Sequence, residues 1–578
     1  MNKTPNFDLK VKSILDATKP GERVCALTGE KWLMDEEEIG WYRKFNVPPS
    51  AMHPQTRWKL AIGHYVGYQW WWNKHPETGK PILSSTHPAT GIKVLPDEEW
   101  FQHDFISEAR DFDSSKMFMK QFRELQLAVP SNATRNFEKP ENSIAFVSSG
   151  DINSYFVLAA RTRDTLYSLT SSECENSNLI NWSMWIQNSH MVTDADKIYD
   201  SKYIIDCAEI RNSAFVFNCK DLEKCFFATN QWHKKYIWKD EQLSQGDWEK
   251  RWSELDFSCR SKLKEYEKEF HNYLNSEAIW PDNTNINSPG STGEYIVNCL
   301  DLKHSFACSN GARDCYWVIH TYYNSERCAF ISGMNSSADC FYSCAIDESK
   351  DIKFSVYTKA CQSLEYCMNC YNCEFCFGCV GLNRKKFCIF NKQYSEDAYW
   401  QKVDELKCAM LDRGEYGEFF PLSYSQSYQP QGGCALYLLT EDSEYEKLGA
   451  LIFDPESHGA VGEDLAQAQN PMSSSQIPDC ALDGLDNLVG KPILDEKINR
   501  RFAFIKPEIE FYKKNKIAPP DEHFITRVQK LIWLNNGAVF YETDCKKCGA
   551  AITVAKNKTF PNRKIYCQEC FYKFLESR

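Results

Sequence analysis

YCMNCYNCEFCFGC, residues 366–379, places Cys367, Cys370, Cys373, Cys376 and Cys379 at every third position, with Cys388 shortly after. Three chemistries compete for such a run: a metal or iron–sulfur nest, a thiol redox relay, or a row of small side chains inside a fold. An internal copy bears on the choice. KCFFATNQWHKKYIWKDEQLSQGDWEKRWSEL (224–255) aligns with FCFGCVGLNRKKFCIFNKQYSEDAYWQKVDEL (375–406) at a constant offset of 151. Cys225 pairs with Cys376, Ser244 with Ser395, Trp248 with Tyr399 and Leu255 with Leu406. The earlier copy carries Ala228 where Cys379 stands and Ile237 where Cys388 stands. A ligand set does not tolerate alanine and isoleucine, whereas a packing position does, because a free thiol behaves as a small hydrophobe. The run therefore reads chiefly as packing. The five cysteines Cys367 to Cys379 stay candidates for a second metal site, since Cys-x2-Cys-x2-Cys opens bacterial ferredoxin motifs, although no Cys-Pro partner follows. A redox relay needs its pair at a helix N-terminus, and these cysteines lie among strand formers.

Working outward, a looser unit recurs between residues 140 and 395: NSYFVL (153), SKYIID (201), NSAFVF (212), DCYWVI (314), RCAFIS (327), DCFYSC (339), FCFGCV (375) and FCIFNK (387). Each is a short alternating strand followed by Asn, Ser, Asp or Gly suited to a turn. Units this short cannot bury a face alone and must stack. The expected fold class is mainly β: a central right-handed parallel β-helix-like solenoid in two halves with helical insertions, flanked by duplicated zinc-ribbon-like α+β end modules. An antiparallel sandwich is the alternative. Each half closes with a QxxS…W/Y segment that reads as a capping helix. In SKLKEYEKEFHNYL, Leu263, Tyr266, Phe270 and Tyr273 line one helical face.

The end modules are the second duplication. EEIGWYRKFNVPPSAMHPQTRW (37–58) matches PEIEFYKKNKIAPPDEHFITRV (507–528) at an offset of 470, pairing Tyr42 with Tyr512, His53 with His523 and Arg57 with Arg527. The C-terminal copy contains Cys545-x2-Cys548 and, after 18 residues, Cys567-x2-Cys570. Two such knuckles set four thiolates around one Zn²⁺, a closed structural site with no open position for catalysis. The N-terminal copy has His75, Thr78, Pro96 and Glu99 at these places. It is expected to be metal-free and held by Tyr68, Trp70, Trp71 and Trp72, with Cys25 buried. The domain plan is a tail (1–24), a degenerate ribbon module (25–110), the first solenoid half (111–240) and a helical insertion (241–287). The second half (288–395), a helix and linker region (396–495) and a C-terminal helix plus zinc ribbon (496–578) complete it.

Composition narrows the classes. With 578 residues, 43% hydrophobic and 14% aromatic, the chain has ample material for a core. Its formal net charge of -12 argues against a coat of nucleic acid over the whole surface. Residues 501–578 run the other way, with 15 Lys/Arg against 8 Asp/Glu. Lys513, Lys514, Lys516, Lys546 and Lys547 are the candidate nucleic-acid contacts there. The N-terminus lacks an apolar signal core, and no apolar run approaches the roughly 20 residues of a membrane span. The expectation is a cytoplasmic protein, or one of the host cytoplasm or virion if viral, not secreted and without a membrane partner. Its 26 cysteines are then most simply reduced thiols or metal ligands. Lone histidines such as His64, His190 and His320 read as satisfied structural residues. No P-loop, GxGxxG, GxSxG or HExxH motif is present.

The chain resembles a family of cysteine-rich zinc-ribbon proteins of ultra-small candidate-phyla bacteria and some large phages, a family with no established activity. The resemblance rests on FDSSKMFMKQFRELQLAVPSN (112–132), CFGCVGLNRKKFCIFNKQYS (376–395), FYKKNKIAPP (511–520) and the terminal ribbon. The family pattern has a further cysteine pair after the YKK…PP helix; here that position reads DEHFITR (521–527), so the resemblance carries no second zinc in this module. It implies architecture and leaves activity open. The leading functional expectation is a non-enzymatic, zinc-stabilised scaffold bound to protein partners in a larger assembly, a virion or ribonucleoprotein, with its oligomeric state open. The alternatives are a nucleic-acid- or ribosome-binding protein acting through the basic ribbon, and a metal- or thiol-dependent enzyme.

Overall fold

From Asn176 to Tyr236 every third residue takes a left-handed backbone conformation, with φ between 44° and 61°, and the same rule runs from Ser336 to Phe390. Each such residue bends the chain, and four bends return it beside its starting point. The ladder Asn178, His190, Lys202, Ala214, Phe226 is accordingly parallel at a constant 12-residue offset. Lys350, Gln362, Glu374 and Lys386 repeat the pattern in the second array. Its early turns are one residue longer, as in the pairings of Leu300 with Arg313 and Arg313 with Glu326. The parallel pairing sets aside the antiparallel sandwich. A left-handed L-residue costs about 1–2 kcal/mol, so Asn and Asp, which tolerate it best, fill many of these corners, among them Asn176, Asn188, Asp200, Asn212, Asn218 and Asn230. Their side chains join turn to turn: Asn218 donates to Asp206 at 2.6 Å and Asn230 to Asn218 at 3.2 Å.

The residue after each corner points inward. In the first array these are Ile180, Ser183, Ile186 and Ser189, then Val192, Ala195, Ile198 and Ser201, a large aliphatic residue alternating with a small one. The small residue has a further task. Ser189 Oγ donates to the Gln187 carbonyl at 2.7 Å and accepts the Ser201 amide, one turn later, at 3.2 Å. Ser201, Ser213 and Cys225 continue the column with the same bonds.

In the second array the corresponding column reads Ser325, Ser337, Ser349, Cys361, Cys373, each accepting the next amide in turn. Cysteine therefore takes over the serine role. Cys367, Cys370, Cys373, Cys376 and Cys379 are five successive inward positions, all fully buried. Each sulfur lies between two carbonyls: Cys367 meets those of Glu365 and Cys376, and Cys373 those of Tyr371 and Leu382. Burial pushes the Cys367 and Cys370 thiols well up, which keeps them protonated. The positions where the copies differ, Ala228 with Cys379 and Ile237 with Cys388, are all inward.

The computed structural model describes residues 3–480 and 484–578. Residues 1–2 of the expected tail and 481–483 of the expected linker region lie outside the described residues. Strand accounts for 34% and helix for 27%, so the chain is mainly β. It divides into two units, residues 1–133 with 284–458 and residues 134–283 with 459–578. Each unit holds one end module and one array, and the arrays form two separate 13-stranded sheets. Each module lies along a face of its array. Helix Pro54–Ile62 packs on strands Glu326–Asn335 and Phe341–Asp347, and helix Phe524–Ile532 on Asn178–Asn181 and His190–Tyr199.

Several boundaries move from those expected. The supposed tail forms helix Pro5–Ala17, with Phe7, Val11 and Leu15 buried and its first turn capped by Asp404. Helix Phe118–Ala128, assigned above to the first repeat half, belongs to the first unit, and the first array follows Thr134. The region 396–495 is divided, since the unit boundary falls at His458, inside the expected linker. Both arrays do end alike, in a short antiparallel turn and a helix capped by serine: Gln245–Ser253 by Ser244 and Glu396–Asp412 by Ser395. Not all the thiols are free, because Cys259 and Cys480 form a disulfide.

The inward Ser/Cys column predicts an order of stability. Cys373→Ser keeps both hydrogen bonds and should stay within about 1 kcal/mol of the parent, whereas Cys373→Ala should lose about 1–3 kcal/mol by orphaning the partners. Chemical denaturation of the two variants checks this, and a serine variant as damaged as the alanine one contradicts it.

Candidate metal centre

Two helices and a hairpin make each end module, and one buried cluster fixes the helices. In the first unit Tyr42 donates to Glu38 at 2.6 Å and Arg57 to Tyr42 at 2.7 Å. The Arg57 guanidinium then lies 3.4 Å from the centre of the Phe330 ring on the array. In the second unit Arg527 donates to Glu508 at 2.9 Å and to Tyr512 at 2.8 Å, while Tyr167 of the array donates to Glu508 at 2.6 Å. The pairings Tyr42/Tyr512 and Arg57/Arg527 found in the sequence are thus one interaction built twice. His53 and His523, also paired there, both cap the following helix through Nδ1.

The hairpin Asn536–Asp544 and Ala551–Asn557 then presents the first knuckle in its turn. The Cys545 amide donates to Ala550 O at 2.8 Å and Gly549, at φ 76°, donates back to Cys545 O at 2.9 Å. Strand Lys564–Tyr566 carries the chain to the second knuckle, where Cys567 caps helix Gln568–Glu576 and Cys570 lies in its first turn. The four sulfurs of Cys545, Cys548, Cys567 and Cys570 all lie within 4.8 Å of one another. This set could hold a metal ion, and it is the one such group among the described residues. The amides of Cys567 and Lys547 donate to Cys545 Sγ at 3.2 and 3.4 Å. Burial raises the Cys545 thiol, yet these amides outweigh it and bring it down to about 6. Peptide N–H groups aimed at a sulfur favour the thiolate a metal requires.

The N-terminal copy keeps the scaffold and changes the closure. Strands Trp71–Lys74 and Pro81–Ser84 flank a turn in which His75 N donates to Lys80 O at 2.8 Å and Gly79 N to His75 O at 3.0 Å. His75 and Glu99 occupy the places of Cys545 and Cys570, and His75 Nε2 lies 2.9 Å from Glu99 Oε2. A hydrogen-bonded pair therefore closes this ribbon where four thiols stand in the other. Sequence reasoning counted too few good donors among the four positions to hold zinc and missed that His75 and Glu99 could meet each other. Tyr68, Trp70 and Trp71 are buried as expected, but Trp72 is 38% exposed and does not belong to the core. Cys25 is buried, and it too opens such a turn, with Cys25 N to Glu30 O at 2.8 Å and Gly29 N to Cys25 O at 2.9 Å. The shared signal, a Gly four residues after the Cys or His, is present in the sequence at Gly29, Gly79 and Gly549.

The candidate nucleic-acid contacts are brought to two places. Lys513, Lys514 and Lys516 lie at the end of helix Lys506–Asn515, and Lys546 and Lys547 in the first knuckle; all five are exposed. Lys513 pairs with Asp486 at 2.7 Å. No helix of the described residues is long and apolar enough to cross a membrane. No family model, curated protein or solved structure matches the chain.

The two closures should respond to opposite treatments. Chelation, or Cys567→Ser, should release metal and remove amide-exchange protection from 536–557 while leaving 71–84 protected. Glu99→Ala should do the reverse. The hydrogen bond from His75 holds Glu99 below the ordinary carboxylate range. This closure is therefore present above that range and lost as acid protonates Glu99. Hydrogen exchange monitored by mass spectrometry, with metal analysis of the same samples, reads both.

Proposed function

We propose that the chain is a non-enzymatic scaffold whose two parallel ladders wind as right-handed β-solenoids, held by one structural zinc at Cys545, Cys548, Cys567 and Cys570. Its binding partner is a protein within a larger assembly. One observation carries this reading. The outer face of the first array, built from 184–187, 196–199, 208–211, 220–223 and 232–235, exposes Trp185 by 50%, Tyr199 by 46% and Trp232 by 44%. Large exposed aromatics on a rigid surface are the residues that anchor protein interfaces.

The charges around them alternate in sign. Lys197 faces Glu209 at 3.4 Å, Arg211 faces Asp221 at 3.2 Å and Lys235 faces Glu223 at 2.7 Å. A phosphate backbone calls for cations of one sign, so this face suits a protein better than a nucleic acid. Four thiolates at tetrahedral spacing suit zinc and leave no coordination position for substrate. A second reading, contact with RNA or DNA through the C-terminal module, is favoured by the exposure of Lys514, Lys516, Lys546 and Lys547.

Metal analysis of the purified protein should return about one zinc per chain and no visible iron absorption. A photo-crosslinking residue placed at position 199 in cells of the source organism should yield a dominant protein adduct, lost in a Trp185→Ser/Trp232→Ser background that folds normally. An absent or unchanged adduct overturns the reading. Salt-sensitive RNA binding abolished by Lys514→Glu and Lys547→Glu would instead select the second one.

A further inference from the structure

In both end modules the strand that follows the ribbon hairpin pairs, in parallel, with a strand from another part of its own unit. In the first unit Val94–Leu95 pairs with Ser131–Asn132, and the Ala133 amide donates to Leu95 O at 2.9 Å. In the second, Lys564–Tyr566 pairs with Ile279–Pro281. Both partners stand at the same kind of place in the chain. The unit boundaries fall after residue 133 and after residue 283, so each partner is the last strand before the chain leaves that unit. A strand of two or three residues is not stable alone, so each pairing lasts only while its ribbon partner is held.

The second-unit pairing is held through the thiols. Strand Lys564–Tyr566 runs straight into Cys567, and the amide of Lys546, between Cys545 and Cys548, donates to Ile565 O at 2.9 Å. Both knuckles therefore grip one strand, and a metal on the four sulfurs ties the knuckles to each other. On its other side Ile279–Pro281 meets the late turns of the first array. Asn230 Nδ2 donates to Ile279 O at 3.0 Å, and the Trp280 ring lies 4.1 Å from that of Phe217. Gln568, next to Cys567, donates to the carbonyl of Asn283, the last residue before the boundary.

The first-unit pairing is held without thiols. Trp100 is 1% exposed and donates its indole N–H to Pro130 O at 2.9 Å, one residue before the strand. Its counterpart in the C-terminal ribbon is Phe571, which has no such donor. Side chains of the array strengthen the hold: Asn132 donates to the Tyr371 hydroxyl at 3.0 Å and Asn369 to Ser131 Oγ at 3.2 Å. One crossing thus depends on an indole and the other on the four cysteines.

We propose that the tetrathiolate centre is a metal-operated latch on the crossing at 277–283. With metal bound, Ile279–Pro281 stays paired to the ribbon; without it, the strand is free, while the crossing at 131–133 stays closed in either state. The latch rests on the zinc reading of the four thiols and adds what that zinc controls. The segment it frees is the whole link between helix Arg260–Ser276 and residue 284, where the chain enters the other unit.

The test uses the full chain, with amide exchange read by mass spectrometry and zinc content measured on the same samples. Removing zinc with a chelator should speed exchange across 277–283 at least tenfold and across 131–133 less than twofold. Restoring zinc should reverse the change. Trp100→Phe should speed exchange at 131–133 at least threefold with zinc content unchanged. Strands His190–Tyr199 and Lys202–Arg211 report on the array itself and should stay protected throughout. A chain that binds no metal overturns the zinc reading and the latch together. A chain that binds and releases zinc with exchange at 277–283 unchanged overturns the latch alone. Loss of protection across 190–211 on chelation also overturns it, by making the metal a support for the whole unit. Unchanged exchange at 131–133 in Trp100→Phe overturns the assignment of that crossing to the indole.

Discussion

Everything in the arrays depends on one constraint: four inward side chains must share the core of a 12-residue turn, and the smaller ones must also hydrogen-bond. So narrow a core has no room for four large residues per layer, so aliphatic residues alternate with Ser, Ala or Cys. Each corner spends backbone free energy on a left-handed residue, and the ladder of main-chain bonds offsets it only while the register holds. An inward hydroxyl or thiol that joins its own corner to the amide one turn later fixes that register. This is why serine gives way to cysteine down a column without a break. The thiol is larger and less polar, so cysteine can also stand in the aliphatic columns, as Cys370 does above Leu382 and below Thr358. A layer such as Leu364, Cys367, Cys370 and Cys373 then resembles a metal nest in sequence while each sulfur is occupied by carbonyls.

The modules show the same economy at a larger scale. A buried Glu–Tyr–Arg cluster is costly to desolvate and does little for stability by itself. What it contributes is position, because the guanidinium must find both its carboxylate and an aromatic ring of the array. Once the helices are placed so, the hairpin beside them needs only a closure at its turn. Four thiols provide it in one copy and a His–Glu hydrogen bond in the other. The scaffold tolerates either because the knuckle turn, with its left-handed glycine, forms from the backbone alone.

The strongest part of the sequence signal was the pair of Cys-x2-Cys knuckles, whose spacing brings the four sulfurs together as expected. The inward role of Cys379 and Cys388 was legible through their replacement by Ala228 and Ile237. Other features lay beyond reach for physical reasons. Which module joins which array is decided by tertiary packing, and residues 1–133 join the array that is more distant in the chain. The helix Pro5–Ala17 buries only Phe7, Val11 and Leu15, too thin a stripe to read without knowing that Asp404 caps it. Cys259 and Cys480 are 221 residues apart, and neither belongs to a repeat.

Duplication explains how such differences can persist. With two copies of array and module in one chain, the folding requirements fall on each copy separately: small inward residues, left-handed corners and the Glu–Tyr–Arg cluster. The surfaces around them are free to diverge. In the first unit, Phe419 and Tyr416 pack on the corner rings Tyr342, Phe354 and Tyr366. In the second, Phe270 of helix Arg260–Ser276 packs against Phe215 and Phe227, and Phe524 of the module stacks on Tyr167. The charge-balanced outer face makes the complementary case. Its ion pairs join successive turns of the array around the exposed Trp185 and Tyr199.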